Sequence, residues 1–264
     1  MESSVPFSSL APGRSIHQFP KGPQPGTFLH DLLEWAAGEG FGSLARDRQR
    51  IVERLEPMCR RHGWEPWLNT LADWLQRLLQ IPFSLPEGSP PVSLAQLATE
   101  EYQPELEFLF AAHGMDTIML DDRVTAHTFE GETRPKLQPA TVNGMLKGFI
   151  DLAFCHDGRY YVLDYKSNHL GEDEQAYGQD AIARAMMEHR YDVQYVLYTL
   201  AMHRLLKARL PEYDYGRHMG GGIYLFLRGV NDRGRGVFMD KPPWPLIRAL
   251  DACFAGKKEP AYDE

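Results

Sequence analysis

The sequence is poor in cysteine and contains no long apolar run. Its three cysteines, Cys59, Cys155 and Cys253, are widely spaced and odd in number. They exclude a disulfide framework and a four-cysteine zinc or iron–sulfur site built from this chain alone. We therefore expect a reducing, cytoplasmic setting. No run of about 18 apolar residues occurs and the first residues, MESSVPFSSLAPG, do not resemble a secretory signal, so no contact with a membrane is predicted.

Positive charge is also scarce, since 28 Lys and Arg residues face 36 Asp and Glu residues, for a net charge of −8. Bulk affinity for nucleic acid comes from Lys and Arg that neutralise phosphates. If this chain acts on DNA, a local basic groove or a separate component must deliver the substrate. The sequence also lacks a GxxxxGK[ST] phosphate loop, so ATP-driven unwinding cannot reside in these residues.

The N-terminal third combines a Ser/Pro/Gly-rich stretch with helical patterns. Residues 1–26 are predicted to form a linker or arm, because they show no apolar periodicity. A helix should begin at residues 26–27 with Thr27 as its N-cap. Amphipathic patterns over 44–62 and 64–80 predict two more helices. We expect 27–100 to be the mainly helical part of one domain that continues to the end of the sequence.

From residue 101 to 264 the pattern changes to strands interleaved with helices. Strands are predicted from Glu107 through Phe110, over 146–155, 159–167 and 223–227, and with weaker signals over 116–120 and 123–128; helices are predicted over 174–189 and 191–209. Such alternation is typical of a mixed sheet covered by helices. The fold class predicted is therefore α/β, a mixed β-sheet flanked by helices, with an N-terminal helical region.

The strongest local signal is a β-hairpin around the dipeptide Asp157-Gly158. A two-residue Asp-Gly loop favours a type I′ turn, which pairs the residue before it with the residue after it. Continuing this register places Asp151 directly opposite Asp164, with Cβ atoms about 4.5–5.5 Å apart. Lys166 lies two residues beyond Asp164 and so projects from the same face of the strand.

Two opposed carboxylates repel each other unless a cation lies between them. Mg²⁺ binds one or two carboxylates together with water and substrate phosphate. A lysine beside such a cation could orient or activate the attacking water in the hydrolysis of a phosphate ester. The spacing alone is equally consistent with a solvated edge hairpin in which Lys166 simply pairs with Asp164.

Four separated blocks resemble the nuclease domains of RecB-type helicase–nucleases, within the PD-(D/E)xK family. They are the Gly-x-x-x-His of residues 26–30, the Asp151 of GFID, Asp164-Tyr165-Lys166, and Gln194-x-x-x-Tyr198. The resemblance is continuous over about residues 143–230 and patchier over 14–110. It implies a restriction-endonuclease-like fold. Ile150 stands where the family name has a proline, a change that this branch tolerates.

The resemblance also implies a set of site residues. The metal ligands would be His30, Asp151, Asp164 and the main-chain carbonyl of Tyr165; the catalytic residues would be Asp151, Asp164 and Lys166; the supporting residues would be Glu107, Gln194 and Tyr198. Glu105 and Glu101 compete with Glu107 for the role of an additional acid. The implied cofactor is Mg²⁺, and Ca²⁺ can occupy the same site.

The implied function is Mg²⁺-dependent hydrolysis of DNA of the exodeoxyribonuclease V type, in double-strand-break repair, recombination and degradation of linear DNA. The implied partners are single- and double-stranded DNA ends and a helicase domain or RecC/RecD-type subunits. A catalytically inactive module that binds DNA ends or proteins is the alternative, although the intact triad argues against it. A stand-alone relative with a four-cysteine iron–sulfur cluster conflicts with the cysteine content.

Overall fold

The structure is a computed structural model that describes residues 14–85 and 89–257. Its centre is a five-stranded sheet in the order β1-β2-β3-β4-β5. The strands are β1 (Tyr102–Asp116), β2 (Thr141–His156), β3 (Arg159–Lys166), β4 (Met219–Phe226) and β5 (Val237–Asp240). Strands β3 and β4 run parallel and the other neighbours run antiparallel. The predicted mixed sheet is confirmed.

Helices cover both faces of this sheet. They are α1 (Pro23–Glu39), α2 (Phe41–Leu44), α3 (Arg48–His62), α4 (Leu68–Gln80), α5 (Thr117–His127), α6 (Gln179–Glu188), α7 (Tyr191–Arg209), α8 (Tyr215–His218) and α9 (Trp244–Phe254). Helices α1 to α4 share one hydrophobic core with Leu152, Leu163 and Ile223 of the sheet. Helices α6, α7 and α9 share a second core with Val162 and Tyr224. Within the described residues, no helix is both long and apolar enough to cross a bilayer.

Helix α1 begins earlier than its sequence suggests. The first helical residue is Pro23 and the N-cap is Gly22, so the prediction of Thr27 as the N-cap is wrong. Proline suits a first helical turn because the N–H that it lacks has no intrahelical acceptor there. Gly22 has φ 111°, a backbone conformation that glycine adopts at little cost.

The residues just before α1 are part of the folded structure. Phe19 is completely buried, and the buried guanidinium of Arg228 donates to the main-chain oxygens of Ile16 at 3.0 Å and of Phe19 at 2.7 Å. The prediction of a linker over 1–26 is therefore wrong for residues 14–26. Residues 1–13 of that predicted arm lie outside the described residues.

The two weak strand predictions over 116–120 and 123–128 are wrong, because this stretch forms helix α5. The Asp116 carboxylate accepts a hydrogen bond from the N–H of Ile118 at 2.7 Å and so caps the helix. Leu120 and Val124, one helical turn apart, are both buried. Capping and burial outweigh the β-propensity of the branched residues in this stretch.

The predicted hairpin is confirmed. Its register runs from the pair His156–Arg159 to the pair Leu152–Leu163. Asp157 and Gly158 have φ values of 50° and 72°, as a type I′ turn requires. The pairing ends at Leu152–Leu163, and the same register continued by one step brings Asp151 opposite Asp164.

Candidate active site

Helix α1 and strands β2 and β3 bring four of the predicted site residues together. His30 Nδ1 lies 3.5 Å from Asp151 Oδ2, and Lys166 Nζ lies 2.6 Å from Asp164 Oδ2. Asp164 is only 3% exposed. The alternative of a solvated surface pair is therefore wrong for Lys166 and Asp164, because the contact is buried.

The main chain of Tyr165 connects the two halves of this cluster. Its N–H donates to Asp151 Oδ2 at 2.7 Å, and a hydrogen bond links its backbone to His30. Its side chain is buried in the first hydrophobic core, where the ring makes an edge contact with the His30 ring at 6.1 Å between centroids. The residue between Asp164 and Lys166 thus has its backbone at the cluster and its side chain in the core.

Burial sets the electrostatics of the cluster. Burial, followed by the nearby Asp164 carboxylate, raises the pKa of Asp151 to about 8. Burial also raises the pKa of Asp164, although the Lys166 ammonium opposes this shift. Desolvation lowers the pKa of His30 and favours its neutral imidazole. Because the carboxylates are costly to ionise together, the cluster favours a proton or another cation between them.

Gln194 of helix α7 joins the lysine to the aspartate. Lys166 Nζ donates to Gln194 Oε1 at 2.9 Å, while Gln194 Nε2 donates to Asp164 Oδ1 at 3.2 Å and to the Tyr198 hydroxyl at 2.8 Å. The Tyr224 hydroxyl also donates to Gln194 Oε1, at 3.1 Å. The structure therefore brings Gln194 and Tyr198, two of the predicted supporting residues, to the Asp164–Lys166 pair.

Glu107 does not reach this cluster, so its prediction as a supporting residue is wrong. Its side chain is 52% exposed and pairs with Lys147 at 3.1 Å on the surface of the β1–β2 ribbon. Glu101 is also exposed and bonds the N–H of Ala98 instead. Neither carboxylate contacts the aspartates.

Glu105, the remaining acid that the sequence left open, lies at the cluster. The β1–β2 pairs on either side of it, Pro104–Leu152 and Leu106–Ile150, place it opposite Asp151. Burial raises its pKa, and the carboxylates of Glu34, Asp164 and Asp31 raise it further. Its φ of 47° is a left-handed conformation, yet exposed and half-buried residues alternate without a break from Gln103 to Leu109. Its place opposite Asp151, rather than a change of register, therefore brings this glutamate beside the site.

The donor chemistry of the cluster fits a hard divalent cation. Carboxylate and main-chain oxygens are the ligands that Mg²⁺ prefers, and burial raises the pKa of both aspartates. Across residues 14–85 and 89–257, however, no three His, Cys, Asp or Glu side chains already converge into a metal cage. Asp164 is held by Lys166 and Gln194 instead. The donors fit, and Asp164 must share its carboxylate between the lysine and a cation.

Two aromatic residues beside Lys166, Tyr191 and Tyr224, were not predicted as site residues from the sequence. Lys166 Nζ lies 3.9 Å from the ring centroid of Tyr191 and 5.1 Å from that of Tyr224. Tyr191 begins helix α7 and Tyr224 lies on β4, next to Asp164 in the parallel pairing. In the sequence, Tyr191 precedes Gln194 by three residues, which places both on one face of a helix. Ordinary helix packing explains this spacing equally well.

The fold and the site define a nuclease of a known class. The model of the PD-(D/E)XK nuclease superfamily matches residues 10–251, and the chain belongs to this family. Its mixed sheet between helical layers is the fold of that class.

Among curated proteins, the chain is similar to the RecBCD enzyme subunit RecB of several bacteria. It is 44% identical to that of Escherichia coli over 93% of this chain and 20% of the relative. It is 37% identical to that of Haemophilus influenzae over 91% of this chain and 19% of the relative. It is 30% identical to that of Mycobacterium tuberculosis over 88% and 23%. The chain thus spans about a fifth of the length of these relatives.

Proposed function

We propose that this chain is a divalent-metal-dependent deoxyribonuclease and acts as the nuclease part of a RecBCD-type helicase–nuclease. The observation that carries the proposal is the buried cluster of Asp151, Asp164 and Lys166, in which Gln194 bonds both Lys166 and Asp164 and the Tyr165 N–H bonds Asp151. Carboxylates beside a fixed ammonium suit the hydrolysis of a phosphodiester, in which negative charge develops at phosphorus. A purely structural module has no need for two buried carboxyl groups whose pKa values are raised by burial.

For the roles of the residues we propose those that the family resemblance implies. His30, Asp151, Asp164 and the main-chain carbonyl of Tyr165 would hold the cation, for which we propose Mg²⁺, with Ca²⁺ able to occupy the same site. When bound, the cation offsets charge on the phosphate and lowers the pKa of water. Lys166, held by Asp164 and Gln194, orients the attacking water and donates a hydrogen bond to it. Glu105 adds negative charge beside Asp151.

The substrate and partners rest on the relatives and on charge. The curated relatives are named as subunits of the RecBCD enzyme. With a net charge of −8, this chain attracts DNA poorly by bulk electrostatics. We therefore propose that a helicase domain or RecC/RecD-type subunits feed linear single- or double-stranded DNA to it, in double-strand-break repair and recombination in the cytoplasm.

The test is cleavage of end-labelled linear single- and double-stranded DNA by the purified chain, with Mg²⁺ or with a chelator. We expect cleavage only with the metal, and none from Asp151→Ala or Lys166→Ala. Calorimetry should show metal binding lost in Asp151→Ala and largely kept in Lys166→Ala. Glu107→Gln removes a carboxylate that does not touch the site and serves as the matched control. Cleavage in the presence of chelator, or by Asp151→Ala, would overturn the proposal.

A further inference from the structure

The ammonium group of Lys166 sits against two tyrosine rings that the proposed chemistry does not use. The Tyr191 ring is the nearer, at 3.9 Å between its centroid and Nζ, and the Tyr224 ring lies at 5.1 Å. A cation within about 6 Å of an aromatic face is attracted by the ring quadrupole, more strongly when water is excluded. The Lys166 side chain is 11% exposed, so little water competes with these rings.

The Tyr191 ring is fixed from several sides. Its hydroxyl donates to Asn168 Oδ1 at 3.3 Å, and Asn168 follows Lys166 by two residues. Its ring stacks on His189 with 5.2 Å between centroids and lies 5.9 Å from the Tyr224 ring. The ring therefore has a defined orientation toward the ammonium rather than a free rotamer.

The turn that starts α7 also sets the direction of this ring. Arg190, just before Tyr191, has φ 55°, a left-handed conformation that an arginine adopts only when its surroundings compensate. Its guanidinium is ion-paired with Asp121 and, at 3.0 Å, with Asp192. Arg134 pairs with the other oxygen of Asp192 at 2.7 Å, in a fully buried contact. This buried ion network holds the first turn of α7, and Tyr191 with it.

The number of N–H donors on Lys166 indicates what the Tyr191 ring contributes. An ammonium has three N–H donors. In the described part of the chain, Asp164 and Gln194 supply the oxygen atoms within bonding distance of Nζ. A ring face stabilises the charge without offering an oxygen, so one N–H stays uncommitted to another acceptor of the protein. That donor is available to water or to a phosphate oxygen.

We propose that Tyr191 is a positioning residue for the nuclease reaction: its ring face holds the Lys166 ammonium in the direction in which Asp164 and Gln194 leave one N–H free. The inference rests on the proposed function, since it gives the lysine its task in hydrolysis. Removal of the ring lets the long lysine side chain take other rotamers, in which the free N–H no longer keeps its direction. The rate of the chemical step then falls while substrate binding does not change.

The first test compares Tyr191→Leu with Tyr191→Phe in cleavage of linear DNA by the whole chain with Mg²⁺. Tyr191→Leu removes the ring, and we expect kcat about tenfold lower with KM unchanged. Tyr191→Phe keeps the ring face and loses only the contact with Asn168, and it should restore most of kcat. Tyr160→Leu removes another partly buried ring at the far end of β3 and is the matched control. Equal kcat in Tyr191→Leu and the wild type overturns the proposal, as does an equal loss in Tyr191→Phe.

A second measurement does not depend on activity. In protein labelled with ¹³C-lysine, the Lys166 methylene signals, assigned by their loss in Lys166→Arg, should be shifted upfield by the rings. The shift should shrink in Tyr191→Leu and persist in Tyr191→Phe; if the leucine variant unfolds, Tyr191→Met replaces it. Unshifted signals in the wild type overturn the positioning role, even if the chain cleaves DNA. A wild type that fails to cleave while the shift is present contradicts the proposed nuclease function instead.

Discussion

At the scale of single residues, the two opposed aspartates lower the stability of the metal-free fold. Because burial and Asp164 raise the pKa of Asp151 to about 8, the fold binds a proton there that the unfolded chain releases near pH 4. The stability penalty is therefore absent below about pH 4 and grows as the pH rises toward 8. At neutral pH, without a cation, the fold keeps Asp151 mostly protonated, and taking up that proton costs stability.

Asp151→Asn should remove this penalty and the activity together. The amide oxygen can still accept the hydrogen bond from the Tyr165 N–H, which is 2.7 Å from the carboxylate. We expect cleavage to fall at least about 100-fold and the metal-free Tm to rise, by about 2–4 °C for each kcal/mol regained in a chain of this size. Activity assays and thermal unfolding with a chelator measure the two effects. A lower Tm in the variant would show that the carboxylate stabilises the metal-free fold, contrary to this account.

Divalent metal supplies the control for that substitution. A cation that binds only the folded state raises the Tm by mass action. Millimolar Mg²⁺ or Ca²⁺ should stabilise the wild type and leave the Tm of Asp151→Asn unchanged. An equal rise in the Tm of both proteins would show that the cation binds at a site that does not include Asp151.

Glu105 and Glu107 provide a matched pair for a second prediction. Glu105 lies opposite Asp151 in the register, whereas Glu107 pairs with Lys147 at the surface. We expect Glu105→Gln to weaken metal affinity and cleavage roughly tenfold, and Glu107→Gln to leave both unchanged. Titration of metal followed by calorimetry distinguishes the two variants. The reverse order would restore Glu107 as the acid of the site.

The sequence pattern predicted that the two aspartates and the lysine lie together, but it did not identify the glutamate that lies beside them. Asp151, Asp164 and Lys166 follow from a two-residue period and one tight turn, both of which are local rules. Glu105 and Glu107 have the same parity in a regular strand, so a pattern cannot separate them. Their partners in β2 separate them, because Glu105 lies opposite Asp151 whereas Glu107 pairs with Phe149, and this long-range register is not visible in a local pattern.

Elements whose ends are set by local chemistry were predicted well. The hairpin has its Asp-Gly turn, and α7 spans Tyr191–Arg209, the predicted range. Helix α5 was mistaken for strands because its N-cap and burial outweigh the β-propensity of its threonine, isoleucine and valine residues. Strand β5 and helix α9 were not predicted. Four residues are too few for a period, and β5 exists because β4 pairs with it.

Helix α7 carries a pH-dependent element at the end remote from the site. His203 is 2% exposed, its Nδ1 lies 3.1 Å from the Tyr213 hydroxyl, and its Nε2 has no hydrogen-bond partner. Burial lowers the pKa of His203 to about 4; Asp251 opposes the shift, and Lys207 and Arg204 add to it. The imidazole is therefore neutral in the fold at neutral pH, and the unfolded chain binds the proton first.

The stabilising effect of neutral His203 should be complete above pH 6.5 and disappear as the pH falls toward 4. Between pH 7 and pH 5 this linkage lowers the free energy of unfolding by about 2 kcal/mol. His203→Asn, which keeps a polar partner for Tyr213, should lose that part of the acid sensitivity. Urea unfolding of both proteins at the two pH values measures it. Identical pH dependence in the two proteins would show that His203 does not titrate on unfolding.

At the scale of the whole molecule, the site takes its residues from elements that belong to both hydrophobic cores. Helix α1 contributes His30 from the core that it shares with α2 to α4, and α7 contributes Gln194 from the core on the other side of the sheet. Strands β2 and β3 supply the aspartates and Lys166 between them. The geometry of the site therefore depends on the packing of both layers. A packing defect in either layer should displace the proposed metal ligands.

Phe19 offers the clearest test of this coupling. Its fully buried ring contacts Phe28 of α1 at 6.0 Å between centroids and the rings of Trp64 and Trp67 at 5.0 and 5.5 Å. Phe19→Ala leaves a cavity beneath the start of α1, and we expect the free energy of unfolding to fall by about 3–5 kcal/mol. His30 lies two residues after Phe28, so looser packing of α1 should also weaken metal affinity, whereas cleavage at saturating Mg²⁺ should recover. Denaturant unfolding and metal titration measure the two effects, with Leu109→Ala, a substitution at a side chain that is 55% exposed, as the control. Destabilisation with unchanged metal affinity would show that α1 keeps His30 in place without this packing, and that the two layers act independently.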